Sequence, residues 1–206
     1  MTFVMENHSG HHEASSGHHE APDVISRRDR MGVLLLIFAD VAFLGALIFT
    51  WFYLRTLNQS GKWIPKEIDV ASSNQSWIVT GVAIASAAAM YLGLMSIRRG
   101  NQKQLLTLAV VALVSMAVDL YLQFWALNSF PFQMKDGSYA STMFAIAGTN
   151  IFHLALTVFL GLGIVNRIRQ NRYSEDDHGH VREVTYWWIW VATASFITSI
   201  ATMYTY

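Results

Sequence analysis

The sequence predicts an all-α integral membrane protein, a bundle of five transmembrane helices with its N-terminus inside and its C-terminus outside. Three observations predict it: five long apolar runs joined by short polar connections, a composition in which 53% of residues are hydrophobic and 14% charged, and a one-sided distribution of Lys and Arg. Such a composition belongs to a protein whose solvent is the bilayer.

The first span, residues 31–53, follows Arg27, Arg28 and Arg30. Basic residues before an apolar run also begin secretory signals. This run is too long for one, lacks a small-residue cleavage site, and matches the roughly 20 residues that cross about 30 Å of hydrocarbon. The further spans are residues 77–97, 105–127, 143–165 and 185–206. Small residues in the second, among them Gly81, Ala83, Ala87 and Gly93, let helix backbones approach closely where lipid supplies no hydrophobic drive. The fifth is interrupted by Thr193, Ser195, Thr198, Ser199 and Thr202, whose hydroxyls can bond back to helix carbonyls.

Arg27, Arg28, Arg30, Arg98, Arg99, Lys103, Arg167, Arg169, Arg172 and Arg182 fall on the N-terminal side of the membrane, against Arg55, Lys62, Lys66 and Lys135 opposite. The excess places the N-terminus inside. Trp51, Trp63, Trp77 and Trp125 near the outer ends, and Trp187, Trp188 and Trp190 near the inner start of the last span, read as interfacial belts.

Two parts follow: a polar tail, residues 1–30, and a transmembrane domain, residues 31–206. The tail has no hydrophobic period and reads as disordered. His8, His11, His12, His18 and His19 within it are weak metal candidates, because imidazole suits borderline divalent ions, but their spacing forms no preorganised site. The 14 basic and 14 acidic residues cancel, and no phosphate-cradling motif or basic-aromatic stripe appears, which argues against nucleic acid as a partner. Cysteine is absent, so thiolate ligands and cysteine nucleophiles are excluded.

The chemistry lies with ionisable groups inside the membrane: Asp40 in the first span, Asp119 in the third and His153 in the fourth. A charge there costs a few kcal/mol, so each should face the bundle or a partner. At about 1.5 Å per residue from the inner ends, Asp40 lies about 14 Å deep, and Asp119 and His153 both about 20 Å. The equal depths suggest that Asp119 pairs with His153. A buried clamp between helices is the favoured reading of that pair, while Asp40 fits a clamp or a proton-handling group equally.

Phe38 to Arg55, FADVAFLGALIFTWFYLR, resembles the first helix of the five-helix bacterial subunits III of haem-copper oxidases, which run S-E-x-M-F-F and end F-Y-L-R. Asp40 stands at the acidic position. Lys62 to Pro65, KWIP, is similar to the W-P motif of the next loop. Ala147 to Ala155, AGTNIFHLA, resembles T-G-F-H-G-L-H-V, with Gly148 and His153 matching and Asn150 replacing the first histidine. Tyr186 to Trp188, YWW, resembles Y-W-H, with Trp188 departing.

The resemblance implies a subunit with no catalytic residue and no haem or copper of its own. These cofactors would sit in partner subunits, with oxidase subunit I as the main neighbour beside subunit II and other respiratory subunits. It further implies bound phospholipid, support of proton uptake during oxygen reduction, and residence in a bacterial inner membrane with a cytoplasmic N-terminus. Alternatives are a small membrane transporter or ion channel subunit, in which the buried ionisable groups would line a path, and the accessory subunit of a nitric oxide reductase. Convincing internal repeats and prolines within the spans, the marks of broken transporter helices, are missing.

Overall fold

The computed structural model describes residues 22–58, 63–64 and 73–203. The five tail histidines lie outside them. Five helices account for nearly all of the described chain: α1 (Pro22–Leu57), α2 (Ser73–Ile97), α3 (Gln102–Asn128), α4 (Ser138–Arg169) and α5 (Gly179–Met203). All five are long and apolar enough to cross a membrane, which bears out the predicted all-α bundle of five membrane-length helices.

Each helix starts or stops for a local reason. The α2–α3 turn passes through Gly100 at φ 71°, a left-handed conformation that glycine adopts without a Cβ penalty. Asn101 then caps α3, its side-chain oxygen accepting from the Gln104 amide at 3.0 Å. Pro131 follows the end of α3, and Gly137, at φ 120°, precedes α4. α1 begins at Pro22, so residues 22–30, assigned to the disordered tail by sequence, are helical. Once an apolar helix has nucleated, adding a turn costs little, and polar residues can extend it beyond the hydrocarbon. The bonding back expected of α5 is present: Thr185, Thr193, Thr198 and Thr202 donate to the carbonyls of Val181, Ile189, Ala194 and Thr198 at 2.7–3.0 Å.

α2, α3, α4 and α5 form a ring in which each helix touches its two neighbours, and α1 lies outside it against α4 and α5. The ring core is small residues interleaved with large ones: Ala83, Ala87, Ala109 and Ala112 among Met90, Leu105, Met116, Leu154 and Val191. Trp187 and Trp188 belong to this core at 3% and 1% exposure, so they are not belt residues. The reason is satisfied indoles: Trp187 donates to Thr157 Oγ1 at 2.9 Å and Trp188 to Ser86 Oγ at 2.8 Å, after which the rings pack as hydrocarbon. Ser86 in turn donates to the Ala112 carbonyl at 2.7 Å, tying α5, α2 and α3 together. Trp77 and Trp125 are exposed as a belt requires, whereas Trp51 is fully buried in a second cluster with Trp63, Phe132, Tyr139 and Met143, at the end of the bundle where α1 finishes. That end is called the far face below, and the end bearing the start of α1 the near face.

Candidate functional site

Asp40 and His153 build the site. On α1, Asp40 lies on the side turned toward α4 and α5, flanked by exposed apolar residues such as Phe38, Val41 and Phe43. Its Oδ1 is 3.0 Å from His153 Nε2 on α4, and its Oδ2 accepts from Trp190 Nε1 on α5 at 2.5 Å. One carboxyl thus joins three helices. The His153 side chain is 4% exposed and that of Asp40 13%, so little water competes for these bonds.

A second layer fixes the imidazole. Trp187, one turn from Trp190, sets its ring edge-on to His153 at 5.9 Å between centroids. The Thr157 hydroxyl accepts from Trp187 and donates to the His153 carbonyl at 2.7 Å. His153 Nδ1 is buried with no hydrogen-bond partner. The arrangement can hold a proton between Oδ1 and Nε2, and the bare Nδ1 supplies a second place where one can bind.

The predicted pairing of Asp119 with His153 is not formed. Asp119 is fully buried on α3; its Oδ1 accepts from Gln123 Nε2 one turn away, at 3.5 Å, and its Oδ2 has no partner. Equal depth fixes position along the membrane normal and leaves the direction around the helix axis free. His153 points to the groove filled by α1 and α5, while α3 touches α2 and α4 but not α1. Asn150, one turn before His153, donates to Thr198 Oγ1 on α5 at 3.1 Å and takes no part in the Asp40 cluster. Trp190 was missed by sequence reasoning because it reads as a belt aromatic. Its spacing of three from Trp187, which puts both indoles on one helix face, is the signal that could have found it.

Below the cluster, toward the near face, α1, α4 and α5 enclose a mostly apolar cavity of about 480 Å³, walled by Val33, Leu36, Phe159, Gly163 and Trp187. Arg167, His180 and Glu183 stand at its near-face end. His180 also lies 3.9 Å from Asp29 of α1. Among the described residues, no three of His, Asp and Glu converge to hold a metal ion.

The family model described as cytochrome c oxidase subunit III matches residues 8–205. The chain belongs to that family. Similar proteins include the cytochrome c oxidase subunits 3 of Prototheca wickerhamii, 27% identical over 77% of this chain, of Salmo salar, 28% identical over 77%, and of Cyanidium caldarium, 24% identical over 79%. The matched part covers 62% of each of these relatives. The match bears out the family resemblance, and the Phe38 to Arg55 and Ala147 to Ala155 segments meet in space at the Asp40–His153 bond. In this member of the subunit III family, the acidic position of α1 and the histidine of α4 are one structural unit.

Proposed function

We propose that the chain is the third, non-redox subunit of an aerobic respiratory haem-copper oxidase in a bacterial inner membrane, its N-terminus cytoplasmic. In this role it docks beside oxidase subunit I, which carries the oxygen-reducing haem and copper, and contacts subunit II and other respiratory subunits. It holds phospholipid and supports proton uptake. The observation that carries the reading is the family match over residues 8–205.

Exposed surface, cavity and buried pair support the docking, lipid and proton parts of the reading. α1 rests on the ring by one side only and leaves Leu35, Phe38 and Phe49 at 61–74% exposure, an apolar surface suited to a neighbouring transmembrane subunit or to acyl chains. The near-face cavity joins apolar walls to the Arg167 guanidinium, the pairing that an acyl chain and its phosphate require. Asp40 and His153 form a buried acid–base pair fitted either to steady α1 or to hold a proton beside the partner. The start of α1 and most of the Lys and Arg residues share the near face, and that excess supports a cytoplasmic near face.

The test is affinity purification of the tagged chain in mild detergent, followed by an optical haem spectrum and identification of co-purifying subunits. A haem-copper subunit I with its reduced haem bands is the expected result. A haem-free, partner-free preparation would overturn the reading and favour a transporter, while co-purification of a nitric oxide reductase would reassign the complex.

A further inference from the structure

A crevice runs between α2, α3, α4 and α5 at the far face. Its walls are largely apolar, with Val79, Leu127 and Met143 among them, and the polar groups Gln75, Gln123, Asn150 and Ser199 are set into these walls; the volume is about 100 Å³. These residues stand in the first turns of α2, the last turns of α3, the first half of α4 and the end of α5, so the crevice begins at the bundle end and descends into the membrane-spanning region. Amides and hydroxyls commonly hydrogen-bond across transmembrane helices, so the informative groups are those left without a partner. Some of the crevice groups satisfy one another: Thr80 bonds Ser199 at 2.8 Å, and Asn150 donates to Thr198. Gln123 does not close the set, because its amide turns downward to Asp119 one helical turn deeper.

One helical turn beyond Gln123, and behind the crevice lining, Asp119 is fully buried, with Oδ2 lacking any hydrogen-bond partner and Oδ1 held only by a contact of 3.5 Å from Gln123. That distance is at the limit of a hydrogen bond. A carboxyl left so poorly satisfied inside a bundle is costly unless water reaches it. A water needs only about 10–15 Å³ of such space and two to four polar partners, so the crevice has room and bonding groups for several. The other titratable groups deep in the bundle, Asp40 and His153, are bonded to each other at the α1 side.

We infer that the α2–α5 crevice is a water-filled inlet from the far face that ends on Asp119, with Gln123 as the gate group between the water file and the carboxyl. Water is its ligand, hydrogen-bonded in turn by the crevice amides and hydroxyls and by Asp119 Oδ2. The inlet opens on the face opposite the near-face cavity and does not involve the Asp40 cluster. It stands whether or not the chain acts with an oxidase.

The absence of cysteine makes the test direct. Single variants Thr202→Cys, Gln123→Cys and Asp119→Cys, with Ala112→Cys in the dry core as control, are treated with a membrane-impermeant methanethiosulfonate in sealed native vesicles, from one side and then the other. Modification is read from the mass of this chain. Because the hydrated thiolate is the reacting form, Thr202→Cys and Asp119→Cys should react from the far face on the order of 100-fold faster than Ala112→Cys. Adding Ala147→Phe, which fills the crevice wall, should abolish the Asp119→Cys reaction. If Asp119→Cys does not assemble, Gln123→Cys carries the test of depth. Reaction at Thr202→Cys with none at the two deeper positions would overturn the inlet, as would rates everywhere equal to the Ala112→Cys control or entry from the near face.

Discussion

Asp40 and His153, 113 residues apart in the chain, meet inside the membrane with carboxyl oxygen and imidazole nitrogen 3.0 Å apart. The contact binds the outlying helix α1 to the four-helix ring, and Trp190 completes it from α5. Removing either partner leaves the other buried in a medium that cannot solvate it.

Asp40→Ala should lower the thermal midpoint of the purified protein in detergent, and His153→Ala should do the same. The double variant should be less harmed than the two single losses added together. A coupling of about 1–3 kcal/mol is expected from contacting buried polar groups, and a coupling near zero would show that the pair does not hold α1.

Asp40→Asn separates clamp from proton carrier. The amide keeps a hydrogen-bonding shape for His153 and Trp190 but cannot release a proton. If Asp40 only clamps, Asp40→Asn should match the parent in assembly and in turnover. If it handles protons, assembly should persist while turnover of the complex and its proton release fall together.

Gly161→Ala tests the packing of α4. A Cβ there would lie 2.7 Å from the Trp188 ring and 2.9 Å from Leu113 Cδ1, so the indole bonded to Ser86 must shift. A loss of about 1–3 kcal/mol is expected, as for overpacked cores. Gly81→Ala meets nothing within 4 Å and should be neutral or slightly stabilising, because alanine favours the helix. Equal thermal midpoints for the two variants would contradict this packing.

Trp188→Phe removes only the indole donor to Ser86 and a little ring volume. Ser86 still donates to the Ala112 carbonyl, so the cost should be modest, about 1 kcal/mol, in the same unfolding assay.

Arg167→Gln bears on the proposed lipid cavity. The variant should assemble, yet retain less anionic phospholipid after detergent washing, as counted by mass spectrometry of the extracted lipids. Unchanged lipid content would place the headgroup elsewhere.

The fold was legible because the length of an apolar run and the thickness of a bilayer leave few choices. Asp40, Asp119 and His153 were legible for a related reason, since a charge in hydrocarbon is conspicuous in any sequence. Their partners were not. Depth along a helix follows from residue number, but direction around it depends on which helices are neighbours, and nothing in the spacing of Asp119 revealed that α1, not α3, would meet His153. The tryptophans failed for the opposite reason. Trp187, Trp188 and Trp190 occur where an interfacial belt is expected, and only their hydroxyl and carboxyl acceptors, contributed by α4, α2 and α1, show why the first two are buried and the third is a ligand of Asp40.

The position of α1 against α4 and α5 sets the order in which the protein can be made. α1 enters the membrane while both hydrogen-bond partners of Asp40 are still untranslated, and α2 and α3, which emerge next, make no contact with it among the described residues. The carboxyl must pass that interval either at the edge of the insertion machinery or in transient company. α5 is made after α4 and adds the indole that completes the cluster, so truncation before Trp190 would leave Asp40 with His153 alone and α1 held by α4 only.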